Sequence, residues 1–177
     1  MTVDVNFAAW LSEGGVLVPG SLRQGHNTLT RYGAQWLSEL VSWQSLGGAG
    51  DVAFRDDKLR WIMVGDGVSL DHVGVARLAG PLTVTTGPDV YLTELPTPVR
   101  QPSSSLRYVV SWSGAGAAFD HHGASVTIRE AGLFADVNGG SLSVASSDHP
   151  PVFYHRLRVP LTKLAAQTLT ITWEPRN

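Results

Sequence analysis

The chain contains no cysteine. That excludes disulfides, thiolate-ligated metal centres and cysteine nucleophiles, and it leaves the redox compartment open. Charge is scarce as well. Asp, Glu, Lys and Arg make up 16% of the 177 residues, against about 25% in an average globular protein. The formal net charge is −2, so no general basic field draws the chain to nucleic acid and no such partner is expected. No apolar run approaches the ~20 residues that span a bilayer, so no membrane partner is expected either. The first residues lack a basic stretch followed by an apolar core, and no secretory leader is expected. Internal repeats and low-complexity tracts are also missing.

What is present points to strands. The hydrophobic fraction is 43%, with 19 Gly and 10 Pro, which suits one domain with a real core, short strands and ordered turns. So little charge on a folded domain suggests that neighbours cover much of its surface. The clearest strand is Thr168-Leu169-Thr170-Ile171-Thr172-Trp173-Glu174, with Leu169, Ile171 and Trp173 on one face. Phe153, His155, Leu157 and Val159 alternate in the same way with Tyr154, Arg156 and Arg158, and Pro160 to Gln167 reads as a connector. In Ser125 to Asp136, Val126, Ile128 and Glu130 share a face until Gly132, where a bulge would re-aim Leu133 and Phe134.

Leu106 to Ser113 places Leu106, Tyr108, Val110 and Trp112 on one face. Leu59 to Gly65 is almost wholly apolar, as in a strand buried on both faces. Leu29, Tyr32, Trp36, Leu37, Leu40 and Val41 trace a helical stripe that Thr28 or Thr30 caps and Gly47-Gly48 stops. Short strands are expected at Leu82 to Thr86 and Val90 to Thr93, followed by a proline-rich excursion from Leu95 to Ser105. Residues 1 to 26 admit three readings: a short helix around Phe7 to Leu11, an extended arm docked on another subunit, or a segment packed on its own domain. The expected organisation is residues 1–26 as N-terminal arm or short helix and residues 27–177 as a single β-sandwich domain. The fold class is mainly β: an antiparallel sandwich of about eight strands with one packed helix.

The inventory for chemistry is thin. Asp120, His121, His122, Asp148, His149 and His155 are the metal-type residues, without the spacing of an H-E-x-x-H or a facial triad, and His26 and His72 stand alone. Surface histidines are the plainer reading. Gly65-Asp66-Gly67 lacks the longer glycine pattern and Lys-Ser or Lys-Thr of a phosphate loop, and Asp66 with Asp71 falls short of a calcium loop. No G-x-S-x-G elbow occurs. Glu94, Glu130 and Asp136 are the carboxylates a glycosidase would have to bring together, but Glu130 beside Arg129 reads as a structural pair, with Arg156 as a cross-strand partner. Trp36, Trp61, Trp112 and Trp173 fall on apolar stripes and read as core, not as stacking platforms. No catalytic, cofactor-binding or metal site is assigned.

Several short motifs carry a resemblance. Glu130-Ala131-Gly132-Leu133-Phe134, Phe153 with Arg156, Pro160 with Lys163, and Leu169, Ile171 and Trp173 form a pattern of the type EAGLF, F-x-x-R, P-x-x-K, L-x-I-x-W. Asn27 to Gly33 and Met63 to Val68 fit beside them. This pattern resembles that of small structural proteins of tailed-bacteriophage virions, from about residue 27 to the end. The resemblance implies a non-enzymatic virion component without cofactor. It would assemble in symmetric copies in the tail or baseplate, or on the capsid as decoration. The implied partners are tail, baseplate or major capsid proteins and further copies of the chain. The alternative is a carbohydrate-binding host-attachment module, with a host surface glycan as partner, for which an exposed aromatic cluster is the discriminating feature.

Overall fold

The segment with the most regular alternation lies inside one sheet, between two long strands. In the computed structural model, which describes residues 4–45, 59–84, 90–100, 106–113, 125–136 and 142–176, strand β11 (Thr168–Arg176) runs antiparallel between β1 (Asp4–Glu13) and β8 (Leu106–Trp112). Leu169, Ile171 and Trp173 face inward and are at most 1% exposed. Leu11, Ala9 and Phe7 stand opposite them on β1, and Trp112, Val110 and Tyr108 on β8. All six are buried. The short strands β2 (Val16–Leu17) and β3 (Arg23–His26) pair with the far side of β1, and β7 (Val99–Arg100) pairs with β8.

The N-terminal segment is therefore not a helix around Phe7, nor an arm outside the domain. Residues 4–13 form a ten-residue strand whose Val5, Phe7, Ala9 and Leu11 belong to the main core. Of the three readings, packing on its own domain is the one observed, and the boundary expected after residue 26 does not exist. The period-two signal was blurred because Ala8 and Trp10 put apolar side chains on the outer face as well.

The second sheet has the order β4-β10-β9-β5-β6, with β4 (Thr28–Leu29), β5 (Leu59–Gly65), β6 (Thr93–Glu94), β9 (Ser125–Ala135) and β10 (Phe153–Leu164). It lies over the first as the other half of a β-sandwich. Ile62, Val64, Val126, Ile128, Leu133, Phe153, Leu157 and Leu161 join the inward side chains of the first sheet in one core. Four of the eleven strands among the described residues are only two residues long, so the working framework is close to the expected eight. Trp36, Trp61, Trp112 and Trp173 are all buried.

The helix α1 (Arg31–Ser45) starts where the stripe predicts. Thr30 Oγ1 accepts from the Gly33 N–H at 2.9 Å, an N-cap bond. The same hydroxyl donates to the Pro151 carbonyl, which fixes the helix start against the chain entering β10. A Cβ on Gly33 would lie 2.1 Å from the Val152 carbonyl oxygen, so only glycine allows this approach. Trp36 is in the core, with Leu29, Tyr32 and Leu37 packed against it. The side chains of Leu40 and Val41 lie outside the described set.

β5 is buried on both faces from Trp61 to Gly65, as its almost wholly apolar sequence implies. Trp61 and Met63 point away from the main core into a second cluster with Phe134, Leu78 and Leu92. Leu78 comes from the 66–81 loop and Leu92 from the segment before β6, so this face of the second sheet is covered by the chain's own loops.

Three expectations shift in detail. Leu82 to Val84 run beside β5 through a Leu82 N–H to Val64 bond, and the paired strand in this region is Thr93–Glu94; residues 85–89 lie outside the description. Part of the proline-rich excursion is ordered into the fold, with Leu95 buried and Val99–Arg100 paired to β8; residues 101–105 are again outside it. The connector expected from Pro160 is strand as far as Leu164.

Gly132 is not a bulge. It pairs regularly with Tyr154 on one side and Met63 on the other. It is glycine because Leu78 and the Phe134 ring approach within 3.0 Å of where a Cβ would stand. The change of face occurs earlier. Val126 and Ile128 point into the main core, and so do Ala131, Leu133 and Ala135, so the parity reverses between Ile128 and Ala131. Glu130 is therefore on the outer face with Phe134, not on the face of Ile128.

Truncating Trp173→Ala is expected to lower unfolding free energy by ~3–5 kcal/mol, the usual cost of emptying a buried aromatic site. Deleting residues 1–13 removes the long partner of β11 and is expected to abolish cooperative unfolding altogether. Urea titrations followed by circular dichroism check both.

Candidate functional site

Where β10 passes the first sheet, its pairing with β9 is interrupted. Arg156 stands opposite Glu130, and the next pair is Leu161 with Ile128. Four residues, Leu157 to Pro160, therefore oppose the single Arg129. Pro160 has no N–H to give to a ladder, which suits it to such a break. The carbonyls left over need donors, and Arg23 supplies them. Its Nε donates to the Val159 carbonyl at 3.0 Å and a terminal nitrogen reaches the Pro160 carbonyl at 3.4 Å. The other terminal nitrogen donates to Gly20 at 2.6 Å and Leu22 at 3.0 Å. One guanidinium thus ties the bulge to the chain entering β3.

Beside this bulge opens a broad groove of about 1690 Å³. One part of its lining is the outer face of the first sheet, with Asn6, Ala8, Trp10 and Thr172; another is Leu22 to His26; the rest is β10 and the 72–73 turn. Arg23, Arg107, Arg156 and Arg158 line it with His26, His72 and His155, while Glu174 is the only carboxylate among the described residues of its lining. Arg107 donates to Glu174 Oε2 at 3.0 Å. On a chain of net charge −2, the groove is a local concentration of positive charge.

The carboxylates considered for catalysis are structural posts. Glu130 is fully buried. Its Oε1 accepts from the Gly80 N–H at 2.9 Å and its Oε2 from the Tyr154 hydroxyl at 3.0 Å. The Tyr154 oxygen in turn accepts from the Ser69 N–H at 3.3 Å. Burial, and then the neighbouring Glu130 carboxylate, push the Tyr154 phenol well above its ordinary value, so it stays protonated and donating. The sequence Gly65-Asp66-Gly67 follows from this anchor. A Cβ on Gly65 would lie 2.6 Å from both Glu130 Oε1 and the Gly80 carbonyl, and the Asp66 N–H closes the loop on that carbonyl at 2.8 Å. The turn grips a carboxylate of its own chain. Arg156 is the register partner of Glu130, as expected.

Asp136 is the second post. Its Oδ1 accepts from the Trp61 indole at 2.7 Å and the Leu142 N–H at 3.1 Å, and its Oδ2 from Arg60 at 2.9 Å. Arg60 also donates to Glu94 at 3.0 Å. Burial opposes the charge on Asp136, but the bonds from Leu142, Trp61 and Arg60 outweigh it and hold the carboxyl below its usual range. Glu130 and Asp136 lie six residues apart on one strand face, about 20 Å at strand rise. The paired carboxylates of glycosidases stand about 5–9.5 Å apart, so these two do not form such a pair.

The histidines disperse. Asp120, His121 and His122 lie outside the described residues. His149 bonds the Ser143 carbonyl at 3.0 Å, and Asp148 pairs with Arg77 at 3.4 Å. Among the described residues no three metal-type side chains converge. His26 and His72 both reach the groove, an association that nothing in their sequence positions indicates.

His155 corrects the expectation of a surface histidine. It is only 9% exposed, stacked on the Phe7 ring at 3.9 Å between centroids, and its Nδ1–H donates to the His26 carbonyl at 3.1 Å. Gly25 leaves room for it, since a Cβ there would lie 2.7 Å from the imidazole. The signal was its parity with Phe153 and Leu157.

Burial pushes the His155 imidazole down to about 4, against the His26 bond that favours the protonated ring. A lowered value means that the unfolded chain binds the proton first. Stability from this site is thus complete above pH ~6.5 and is lost as pH falls from there towards about 4. The expected loss is at most ~3 kcal/mol, read from urea midpoints at pH 7 and pH 4.5. His155→Gln is expected to flatten that window. Asp136 leaves it undisturbed, because a lowered carboxylate loses its contribution only at more acidic pH.

Comparison with known proteins finds no matching family model, no matching curated protein and no matching solved structure.

Proposed function

We propose that the chain is a non-enzymatic structural component of a tailed-bacteriophage virion, assembling in symmetric copies in the tail or baseplate or on the capsid. The motif resemblance supplies the class. The observation that carries assembly is an asymmetry between the two outer faces of the sandwich. The second sheet is covered by the chain's own loops, through Leu78, Leu92, Leu142 and Val144. Over the outer face of the first sheet no such apolar layer lies among the described residues. That face presents Ala8, Trp10 and Thr172, with Leu17, Val99 and Val109 from 38% to 58% exposed. These apolar side chains stand among polar ones, with Ser111 bonded to Thr170 and Arg107 to Glu174, and exposed apolar groups on an uncovered sheet of mixed character suit a protein interface. Low overall charge fits the same reading, since charged residues are depleted at interface cores.

The partners on this reading are further copies of the chain and neighbouring virion proteins. The glycan-binding alternative gains nothing specific: the exposed large apolar side chains among the described residues are all Val and Leu, and Trp10 is half-buried.

Two measurements test the proposal. Sedimentation of the purified chain is expected to give a closed oligomer that Val109→Glu dissociates without lowering the melting temperature. Mass spectrometry of density-banded phage particles made by a genome encoding the chain is expected to find it in many copies. A monomer that is absent from washed particles would overturn the reading.

A further inference from the structure

We infer that the groove beside the β10 bulge docks an acidic, partly aliphatic segment of a neighbouring protein. The inference rests on the structural role proposed above and specifies the chemistry of one partner. Charge comes first. Four arginines line the groove against one carboxylate, Glu174, and Arg107 already matches that carboxylate. Arg156 stands opposite the buried Glu130 carboxylate, which draws its hydrogen bonds from neutral groups, and Arg23 and Arg158 have no counter-charge among the described residues of the lining. Arg23 spends its donors on four carbonyls, so it adds fixed charge and no free fork.

Arg156 and Arg158 are different. Both are exposed; Arg156 acts on Tyr154 through its charge, and neither guanidinium takes part in the ion pairs formed among the described residues. They project from one strand two residues apart, roughly 7 Å. That is also the spacing of carboxylates at alternate positions of an extended chain, and each guanidinium can hold one in a two-bond fork.

The remaining lining decides the class of ligand. The groove, at about 1690 Å³, exceeds the ~300–1,000 Å³ of pockets that enclose small molecules, and it suits an extended segment. Leu22 is 46% exposed and Val159 57% exposed beside the arginines. The lining also holds Trp10, His26 and His72 with Asn6 and Gln24, groups that a nucleic acid or a sugar could use, but the two exposed aliphatic side chains beside Arg158 offer neither of those ligands a stacking or hydrogen-bonding partner. For a peptide they are anchor contacts, and arginine with aliphatic and Trp side chains is the composition of a protein interface.

The test uses the full chain and a short fluorescein-labelled peptide rich in Glu with interspersed Leu, followed by anisotropy. Binding is expected to be at least about tenfold tighter than to the same peptide with Gln for Glu, and to weaken as salt rises. The double variant R156E/R158E, whose melting temperature is checked first, is expected to lose at least about tenfold. Arg77→Glu, at an ion pair elsewhere on the surface, is expected to bind normally. Equal binding of the Gln peptide, or no effect of R156E/R158E, would overturn the inference. Stronger binding of a uronic-acid oligosaccharide or an oligothymidine at the same arginines would also overturn it, and would name the other class.

Particle incorporation separates this inference from the structural role. If the parent chain and R156E/R158E enter particles equally, the groove fails as a docking surface and the structural role stands. If the parent chain is absent from particles yet binds the acidic peptide through Arg156 and Arg158, the role fails and the groove stands.

Discussion

The fold depends on a ladder between strands from opposite ends of the sequence. β1 and β11 pair over nine residues, from Asp4 with Arg176 to Ser12 with Thr168. Phe7 faces Trp173 across it in an edge-to-face contact at 5.2 Å, and His155 stacks on the other side of Phe7. Closing so long a loop is entropically costly before any contact compensates it. The compensation is local and dense: three large side chains of β11 lie between two rows of buried partners. Without this zipper β8 and β7 have no long neighbour, and the inner face of the second sheet has nothing to cover it.

A second constraint governs the outside of that second sheet. Buried carboxylates are expensive unless their oxygens are matched, and Glu130 and Asp136 are matched almost entirely by groups from other segments. Gly80, Ser69 and Tyr154 gather at the first, and Trp61, Arg60 and Leu142 at the second. Each post therefore selects one path for a loop that propensity alone leaves open. The apolar cluster of Leu78, Leu92 and Phe134 lies between the two. Apolar burial gives the loops their adhesion, and the carboxylates give them their position.

The parts of the fold legible in the sequence were those in which the outward positions are polar. β11 shows its face because Thr and Glu fill the gaps between Leu169, Ile171 and Trp173, whereas Trp61 is buried because β5 is apolar on both faces. β1 hid its face because Ala8 and Trp10 serve an outer surface that is itself apolar. The reversal near Glu130 was not readable along β9, since it is set by the extra residues of β10 opposite Arg129. The groove was least legible of all. Arg23 meets Val159 across 136 positions of sequence and from the other sheet, so the lining comes together only once the two sheets have formed. The resemblance to virion proteins drew mainly on β9, β10 and β11, with Asn27 to Gly33 and Met63 to Val68 beside them, segments that build the interior and its turns. It therefore carried little about the surfaces where partners would be met.

The uneven covering of the two sheets also sets where sequence change is tolerated. Over the second sheet, a loop altered in length would pull a donor away from Glu130 or Asp136, and the cost would fall on folding itself. On the open face of the first sheet, side chains such as Val99, Val109 and Trp10 can be exchanged one at a time while every ladder bond beneath them stays in place. Divergence there would alter the company the molecule keeps long before it altered its shape.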